Sequence, residues 1–207
     1  LFSEWFSNNV DPEGRVGVVV PTGIATDHTT ADFFRNIVEN RRLVSLYDYN
    51  NNKNIFPGVH NSYSFCLLTL VGEDSPTDEF EVAFGMDEVE QLHEESRRYT
   101  LNREDIRQVN PNTGTSPTFE NPEDADLALR IYESTGVLVN ENAEDGNPWS
   151  IEISRMLNMS DDSDLFWTVN DFEEAGFEQE SNWFTDPTGE TKYLPLYESK
   201  LIHQYNH

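Results

Sequence analysis

Basic residues are scarce in this chain, and lysine is the scarcest of them. The 207 residues include 13 Lys and Arg against 39 Asp and Glu, which gives a formal net charge of −26, and the only lysines are Lys53, Lys192 and Lys200. Disordered acidic segments are poor in aromatic residues, whereas aromatics make up 12% of this chain. We therefore predict a folded protein from a high-salt cytoplasm, where carboxylates keep the surface hydrated and salt screens their mutual repulsion.

Cysteine and long apolar runs are also lacking. The single cysteine, Cys66, lies in an apolar strand pattern, which indicates a core residue in a reducing cytosol rather than a nucleophile. No apolar run approaches the roughly 20 residues of a membrane helix, so we expect no membrane partner and a cytoplasmic location. The chain begins at Leu1 without a methionine, which favours an excised piece of a longer polypeptide.

Complete catalytic and metal-binding motifs are missing from the sequence. It contains no GxSxG, no GxxxxGK[ST] and no Ser–His–Asp arrangement. His203 and His207 are four residues apart but lack a third ligand at a defined spacing, so no metal site is predicted. The excess of acids weighs against nucleic acid as a partner, because phosphate binding favours a basic face.

The first 71 residues predict a strand–helix–strand unit and a third strand. The apolar run 16–20 indicates a strand covered on both faces, and the helix that follows should begin at Thr29 or Thr30 and end near Arg42. Such units form right-handed crossovers in mostly parallel sheets, and the next strand follows too closely for another crossover, so it should return antiparallel. The two later strands are expected over 43–49 and 62–71.

Regular structure after residue 71 is expected in shorter pieces. The pattern predicts a strand over 79–84, a short helix over 87–96, and helices over 102–109 and 122–135. Asn121 and Pro122 supply the cap and the first residue of the last helix, and Gly136 closes it. The apolar clusters towards His207 are too short to assign.

Two short segments are candidate ligand loops. Pro21, Thr22 and Gly23 end the first strand, where open α/β sheets place their ligands, and a plain turn is the alternative. Phe56 is followed by Pro57 and lies between the second and third strands, which predicts a large ring at a loop tip. Enzymes that act on a nucleobase extrude it and hold its face against an aromatic ring. The alternative is a phenylalanine that tucks back onto the sheet.

Arginines are concentrated in one short stretch of this acidic chain. Four of them fall within eleven residues: Arg97, Arg98, Arg103 and Arg107. The arginine fork suits phosphate, so contacts with a phosphate backbone are one interpretation. The other is a set of intramolecular ion pairs with the neighbouring acids, which are Glu94, Glu95, Glu104 and Asp105.

Six segments together resemble the large adenine-specific DNA methyltransferases of restriction–modification and phage-defence systems, including fused restriction–methyltransferase polypeptides. The segments are GRVGVVVPTG (14–23), FPGV (56–59), NPNTGTSP (110–117), NPW (147–149), RMLNMSDDS (155–163) and LPLYESKLIHQY (194–205). The first two recur in many methyltransferases, whereas the last four are more particular. The resemblance implies an α/β fold, with a partial Rossmann-like methyltransferase sheet of mixed strands followed by an irregular α+β region.

The resemblance also implies where the chemistry of such an enzyme resides. The family binds S-adenosylmethionine on a glycine-containing loop after its first strand, and methylates the exocyclic nitrogen of adenine with an Asn-Pro-Pro-Tyr loop after its fourth strand. This sequence contains neither loop, so it has no catalytic residue to name, and the isolated chain should be inactive. Phe56 matches the family's phenylalanine that packs on the flipped base, with His60 and Asn61 nearby.

The same resemblance predicts the domain organisation and the partners. Residues 1–75 should be the C-terminal part of the catalytic domain, and 76–207 a connector towards the target-recognition domain. The parent enzyme should act on duplex DNA, with a restriction nuclease as a possible fused domain or subunit. The alternative is a non-enzymatic acidic interaction module, or a DNA mimic that occupies a basic cleft on its partner.

The charge balance leads to a prediction about salt. We expect the thermal midpoint of unfolding to rise between about 0.1 and about 2 M KCl, because the Debye length shrinks to about 3 Å or less and carboxylate repulsion is screened. Circular dichroism or calorimetry across this range measures the midpoint. A midpoint that stays flat or falls would remove the argument for a high-salt origin.

Overall fold

The computed structural model describes residues 2–152, 154, 157–158 and 160–196. The chain divides into two compact units, Leu1–Ile151 and Glu152–His207. Within the described residues, no helix is long and apolar enough to cross a membrane. The segment 155–163 is only partly described and most of 194–205 lies outside the described residues, so the structure does not address these two motifs as wholes.

The first unit combines one sheet with short helices. Its helices are α1 (Phe2–Asn9), α2 (Gly23–Thr26), α3 (Ala31–Glu39), α4 (Arg103–Val109) and α5 (Pro122–Thr135). Its strands are β1 (Arg15–Pro21), β2 (Leu43–Asn50), β3 (Ser64–Val71), β4 (Glu79–Met86) and β5 (Tyr99–Asn102). The strands and helices predicted from 16 to 84 and from 102 to 135 are present in the expected order. Helix α2 and strand β5 were not predicted. Two short 3-10 helices, Val89–His93 and Glu95–Arg97, replace the helix predicted over 87–96.

The five strands form one mixed sheet in the order β1-β3-β2-β4-β5. The third strand is antiparallel, as predicted, and it lies between β1 and β2. The expectation of a mostly parallel sheet is wrong. Of the four adjacent pairs in this sheet, only β2 and β4 are parallel, because β3 separates the two strands of the crossover unit. The fold class is therefore α/β with a mixed sheet, as expected. Since β4 and β5 extend the sheet beyond residue 75, the predicted domain boundary falls between two strands of one unit.

The core lies between α3 and the sheet. Phe34, Ile37 and Val38 form the buried face of α3 and contact apolar residues of β2 and β3. Cys66 belongs to this core, as predicted, and burial raises the pKa of its thiol to about 12. A thiol with so high a pKa stays protonated, which removes its nucleophilic character.

The first strand is less covered than its sequence predicts. Val16, Val18 and Val20 are half-buried, but Gly17 and Val19 on the other face are exposed, and Val19 retains 55% of its accessible surface. β1 is the edge strand of the sheet, and the described residues leave one of its faces open. The expectation of a strand covered on both faces is therefore wrong for this chain on its own.

The helix ends follow local chemistry, with one exception. The Asn121 side chain accepts a hydrogen bond from the Asp124 N–H at 2.8 Å, and Gly136 ends α5 with a φ of 68°, both as predicted. The prediction that α3 extends to Arg42 is wrong. The helix ends at Glu39, because Arg41 adopts a left-handed φ of 59° that turns the chain into β2.

The second unit is a small aromatic module. Helix α6 (Val169–Glu174) precedes a three-stranded antiparallel sheet of β6 (Glu178–Glu180), β7 (Trp183–Thr185) and β8 (Lys192–Tyr193). Phe172 stacks on Phe184 with ring centroids 4.5 Å apart, and Trp167 packs on Phe172. Aromatic contacts thus supply the packing of this unit, which the sequence left unassigned.

Gly72, which follows β3, lies close to the backbone of Asp11 and Pro12 before β1, and this leads to a stability prediction. A Cβ at Gly72 would lie 2.1 Å from the Asp11 carbonyl oxygen, whereas a Cβ at Gly17 meets nothing within 4 Å. Gly72→Ala should therefore lower the free energy of unfolding by about 1–3 kcal/mol, since backbone atoms must move. Gly17→Ala is the matched control and should be neutral within about 0.5 kcal/mol. Denaturant titrations at constant KCl measure both, and equal effects would contradict the packing described.

Candidate functional site

The loop 51–63 joins β2 to β3 and carries Phe56. The Phe56 side chain is 41% exposed, and its ring meets that of Phe65 in an edge-to-face arrangement with centroids 4.8 Å apart. Phe56 therefore rests on the sheet through Phe65 while part of its ring stays open. This combines the two interpretations of the sequence, because the ring is supported by β3 without being buried.

Phe56 forms one wall of an open apolar groove of about 400 Å³. The groove is lined by Val19, Val20, Pro21, Phe56, Val59, Tyr63, Ser64 and Phe65. Tyr63 is 64% exposed, and Val19 and Val59 are also exposed. The groove thus presents aromatic and aliphatic surface to solvent, with β1 on one side and the 51–63 loop on the other. Such a surface fits a flat apolar ligand.

Asn51 is a residue of this site that the sequence did not single out. It is completely buried although it begins a loop. Its Nδ2 donates to the Phe56 carbonyl at 3.1 Å and to the Val59 carbonyl at 2.8 Å, and its Oδ1 accepts from the Phe56 N–H at 2.9 Å. One amide therefore fixes both backbone polar groups of Phe56. Four asparagines stand within 50–54, and composition alone does not distinguish this one.

A polar cleft lies beside the groove, at the carboxyl ends of β1, β2 and β4. Its volume is about 680 Å³, and it shares Pro21, Tyr63 and Ser64 with the groove. Asp48, which is 7% exposed, accepts hydrogen bonds from the Thr22 hydroxyl and from the Gly85 N–H, the latter at 3.0 Å. The predicted ligand loop at Pro21-Thr22-Gly23 therefore lines a cavity, and Asp48 ties it to β2 and β4.

The cleft is rich in hydrogen-bond acceptors. Its walls carry the carboxylates of Asp27, Asp48 and Glu120 and the amide of Asn50. No lysine or arginine lines it. Groove and cleft together offer an apolar surface next to an acceptor-rich one, so a ligand that is flat on its face and carries N–H donors on its edge matches both.

His60 and Asn61 do not line the groove. His60 lies in the same loop, where its Nδ1 is 2.8 Å from Ser62 Oγ and accepts from the Ser62 N–H at 3.2 Å. Its ring centroid is 6.5 Å from that of Tyr63. Both residues are exposed, so the structure brings them near the site without placing them in it. Their contact with a base stays a prediction.

Each of the four clustered arginines has an intramolecular partner. Arg103 pairs with Glu104 at 2.9 Å, and Arg98 pairs with Glu81 at 3.4 Å. Arg107 pairs with Glu39, and this hydrogen bond raises the pKa of the guanidinium. Arg97 donates to the Glu120 carbonyl at 3.3 Å. Exposed pairs of this kind contribute little to stability, so phosphate contact stays a prediction in which the arginines exchange these partners.

The segment 110–117 has a structural role in the first unit. Gly114 has a φ of 65°, and its N–H donates to the Asn110 carbonyl at 2.7 Å. The Arg35 guanidinium donates to the Thr113 carbonyl at 2.6 Å, and the Ser116 N–H donates to the Ala25 carbonyl at 2.8 Å. These bonds attach the segment to α3 and α2, and they give it a structural role in this unit.

Comparison with known proteins gives limited matches. No protein-family model and no curated protein matches the chain. A modification subunit of a putative type I restriction enzyme from Vibrio vulnificus YJ016 is 14% identical, with a TM-score of 0.44 over 61% of this chain and 32% of that one. The M protein of the type I restriction enzyme EcoKI is 14% identical, with a TM-score of 0.41 over 64% of this chain and 40% of that one.

A third structure, which describes complex assembly and conformational transition of a type I restriction–modification system, is 13% identical. Its TM-score is 0.41 over 60% of this chain and 33% of that one. The chain thus spans between 32% and 40% of the length of these structures. At such low TM-scores the likeness carries no argument of its own, and the α/β class rests on the observed sheet.

The Asp48 network gives a prediction about the cleft. Asp48→Ala should lower the free energy of unfolding by about 1–3 kcal/mol, because the Thr22 hydroxyl and the Gly85 N–H lose their acceptor. Asp78→Ala is the matched control, since it removes the same charge from an exposed pair with Arg41 and should cost under about 1 kcal/mol. Denaturant titration measures both. Equal effects would mean that Asp48 contributes only its charge.

Proposed function

We propose that this chain is part of an S-adenosylmethionine-dependent DNA methyltransferase of a restriction–modification or defence system, acting on the exocyclic nitrogen of adenine. Its role is to hold the extruded base. The observation that carries the proposal is Phe56, a supported but open ring at a loop tip, beside an acceptor-rich cleft. The sequence resemblance described above points to this reaction.

The geometry supports a base in the groove. An extruded base loses its stacking in the duplex, and an aromatic ring replaces part of it. Phe56 and Tyr63 supply exposed aromatic surface on one wall, while Val19 and Pro21 supply aliphatic surface on β1. Adenine carries an amino group that donates hydrogen bonds, and the neighbouring cleft offers acceptors for it. His60 and Asn61 would approach the base from the loop.

The methyl donor is not assigned to the glycine turn of this chain. Gly23 follows β1, as a donor loop would follow a strand, but the Asp27 carboxylate lies against it. The sequence resemblance implies a donor loop and a catalytic loop that this chain does not contain. The proposal therefore assigns S-adenosylmethionine and the catalytic loop to another part of the parent enzyme, and no methyl-transfer step to residues of this chain.

The open side of the sheet supports a larger parent enzyme. β1 has an unpaired edge within the described residues, and Val19 is exposed on it. Helix α1 buries Ser3 and Ser7 while Phe2 and Trp5 are exposed. Apolar residues on an uncovered edge and helix are typical of a surface that packs against further protein. In this proposal residues 1–75 end the catalytic domain and 76–207 lead towards target recognition.

Duplex DNA is the proposed partner, reached through the parent enzyme in the cytoplasm. Arg97, Arg98, Arg103 and Arg107 are the proposed phosphate contacts, and a restriction nuclease domain or subunit is a further proposed partner. A high-salt habitat accounts for the acids elsewhere. The net charge of −26 favours the alternative of an acidic interaction module or DNA mimic, but a mimic also requires ordered rows of carboxylates.

Phe56 provides the test of this function in the full-length enzyme. Phe56→Ala should slow methyl transfer to DNA by about tenfold or more, because aromatic stacking contributes about 1–3 kcal/mol per base. Phe56→Tyr and Phe56→Trp should keep much more activity, since each retains an aromatic face. Transfer of a labelled methyl group measures the rate, and thermal melting monitors the fold.

Leu127→Ala is the control for removal of an exposed apolar side chain, because Leu127 is exposed on α5 and lies outside the groove. Its methyl-transfer rate should equal that of the unmodified enzyme. Unfolding of Phe56→Ala would identify Phe56 as a packing residue. A folded Phe56→Ala enzyme with normal methyl transfer would show that another side chain holds the base.

A further inference from the structure

The loop that carries Phe56 has a single buried organiser. Asn51 makes three side-chain hydrogen bonds, two of them to Phe56 and one to Val59, and its backbone N–H donates to the Tyr63 carbonyl at 3.1 Å. Phe56, Val59 and Tyr63 are the three residues that this loop contributes to the groove. One residue therefore holds the whole loop wall of the groove.

The chemistry of an asparagine amide explains why this residue type suits the position. The amide accepts at its oxygen and donates twice at its nitrogen in one plane, and all three capacities are used here. Aspartate has no donor when it is ionised, and serine is too short to reach two carbonyls and one N–H together. The backbone N–H of Phe56 has its acceptor in the Asn51 side chain rather than in a strand partner.

The consequence for Phe56 is a fixed backbone on both sides of its Cα. Its N–H and its C=O are both bonded to Asn51, and Pro57 restricts it to extended geometry. Phe65 supports the ring from the sheet. A side chain held in this way needs no ordering when a ligand arrives, so the groove wall is formed in advance.

We infer that Asn51 is the positioning residue for Phe56. The Asn51 amide holds the loop in the conformation that receives the extruded base. The effect of Asn51 on methyl transfer rests on the proposed function. The ordering of the loop 51–63 by the Asn51 amide is measurable on this chain by itself. The two parts therefore fail separately.

The first experiment measures amide hydrogen exchange on the chain carrying Asn51→Asp. The substitution keeps the side-chain shape and the acceptor for the Phe56 N–H, but the ionised carboxylate loses both donated bonds. Exchange in the loop 51–63 should accelerate about tenfold or more at neutral pH, while β3 keeps its protection. Asn52→Ala is the matched control, since the exposed neighbour donates only to Asp87 Oδ1, at 3.0 Å, and should leave loop exchange unchanged.

In the same variant, the hydrogen-exchange protection of the loop should depend on pH, because the new carboxyl can be ionised. A buried carboxyl that faces two carbonyls favours its neutral form, so its pKa in the folded chain lies above the ordinary value. The protonated form donates one hydrogen bond, so order is present at low pH and is lost as pH rises through that pKa. Loop protection in Asn51→Asp, relative to the unmodified chain at the same pH, should therefore be greater at acidic pH than at neutral pH.

These results decide the structural part of the inference. Unchanged exchange in the loop, or equal acceleration across β3, would overturn it. A variant that is unfolded at both pH values would also overturn it, because Asn51 would then serve the core as a whole. Faster loop exchange with an intact sheet, reversed at low pH, supports it.

The second experiment is a double-mutant cycle on methyl transfer by the full-length enzyme. Asn51→Asp should reduce kcat about tenfold with the KM for the methyl donor unchanged. In the Phe56→Ala background the same substitution should reduce kcat less than twofold, because Asn51 acts through Phe56. Full additivity would overturn the positioning role. If Phe56→Ala alone leaves methyl transfer normal, the proposed function fails, and hydrogen exchange still decides whether Asn51 orders the loop.

Discussion

The pairing of β3 between β1 and β2 is the constraint on which the site depends. Its register places Ser64 opposite Asn50 and Phe65 opposite both Pro21 and Tyr49. The loop 51–63 must therefore begin and end at the carboxyl ends of β1 and β2, where α/β sheets bind ligands. The same pairing puts Phe65 beside Phe56, so the sheet that closes the core also builds the floor of the groove.

Local signals in the sequence predicted part of this arrangement, and long-range contacts decided the rest. Phe56 was predictable because Pro57 and its place between two strands mark a loop tip, and the ends of α5 followed from Asn121 and Gly136. Asn51 was not predictable, since it differs from its asparagine neighbours only in being buried. Asp48 was hidden among many acids, and its partners Thr22 and Gly85 are 26 and 37 residues away in the chain. The exposure of Val19 depends on what covers the edge of the sheet. An apolar run in the sequence does not contain that information.

The charge of the chain changes how a nucleic acid would be held. Phosphate contacts lose affinity steeply as salt rises, because counterion release no longer favours binding. In molar salt the Debye length is about 3 Å, and the clustered arginines already have carboxylate or carbonyl partners. Apolar stacking is not screened in this way. If DNA is the partner in concentrated salt, as proposed, its binding would depend more on apolar surfaces such as the Phe56 groove than on the arginines.

The groove is built by two sets of interactions. All of its lining residues belong to β1, β3 and the loop between β2 and β3, and Asn51 fixes the loop wall from within. The pairing of β1 with β3 thus builds one side of the groove, and the side-chain hydrogen bonds of Asn51 build the other. The acceptors of Asp48 are bound to Thr22 and Gly85, so the neighbouring cleft is equally preformed. Because both cavities exist before any ligand binds, little of the binding free energy is lost to ordering this side of the site. In the proposed function, the unstacking and unpairing of the base would then be the main remaining cost of the complex.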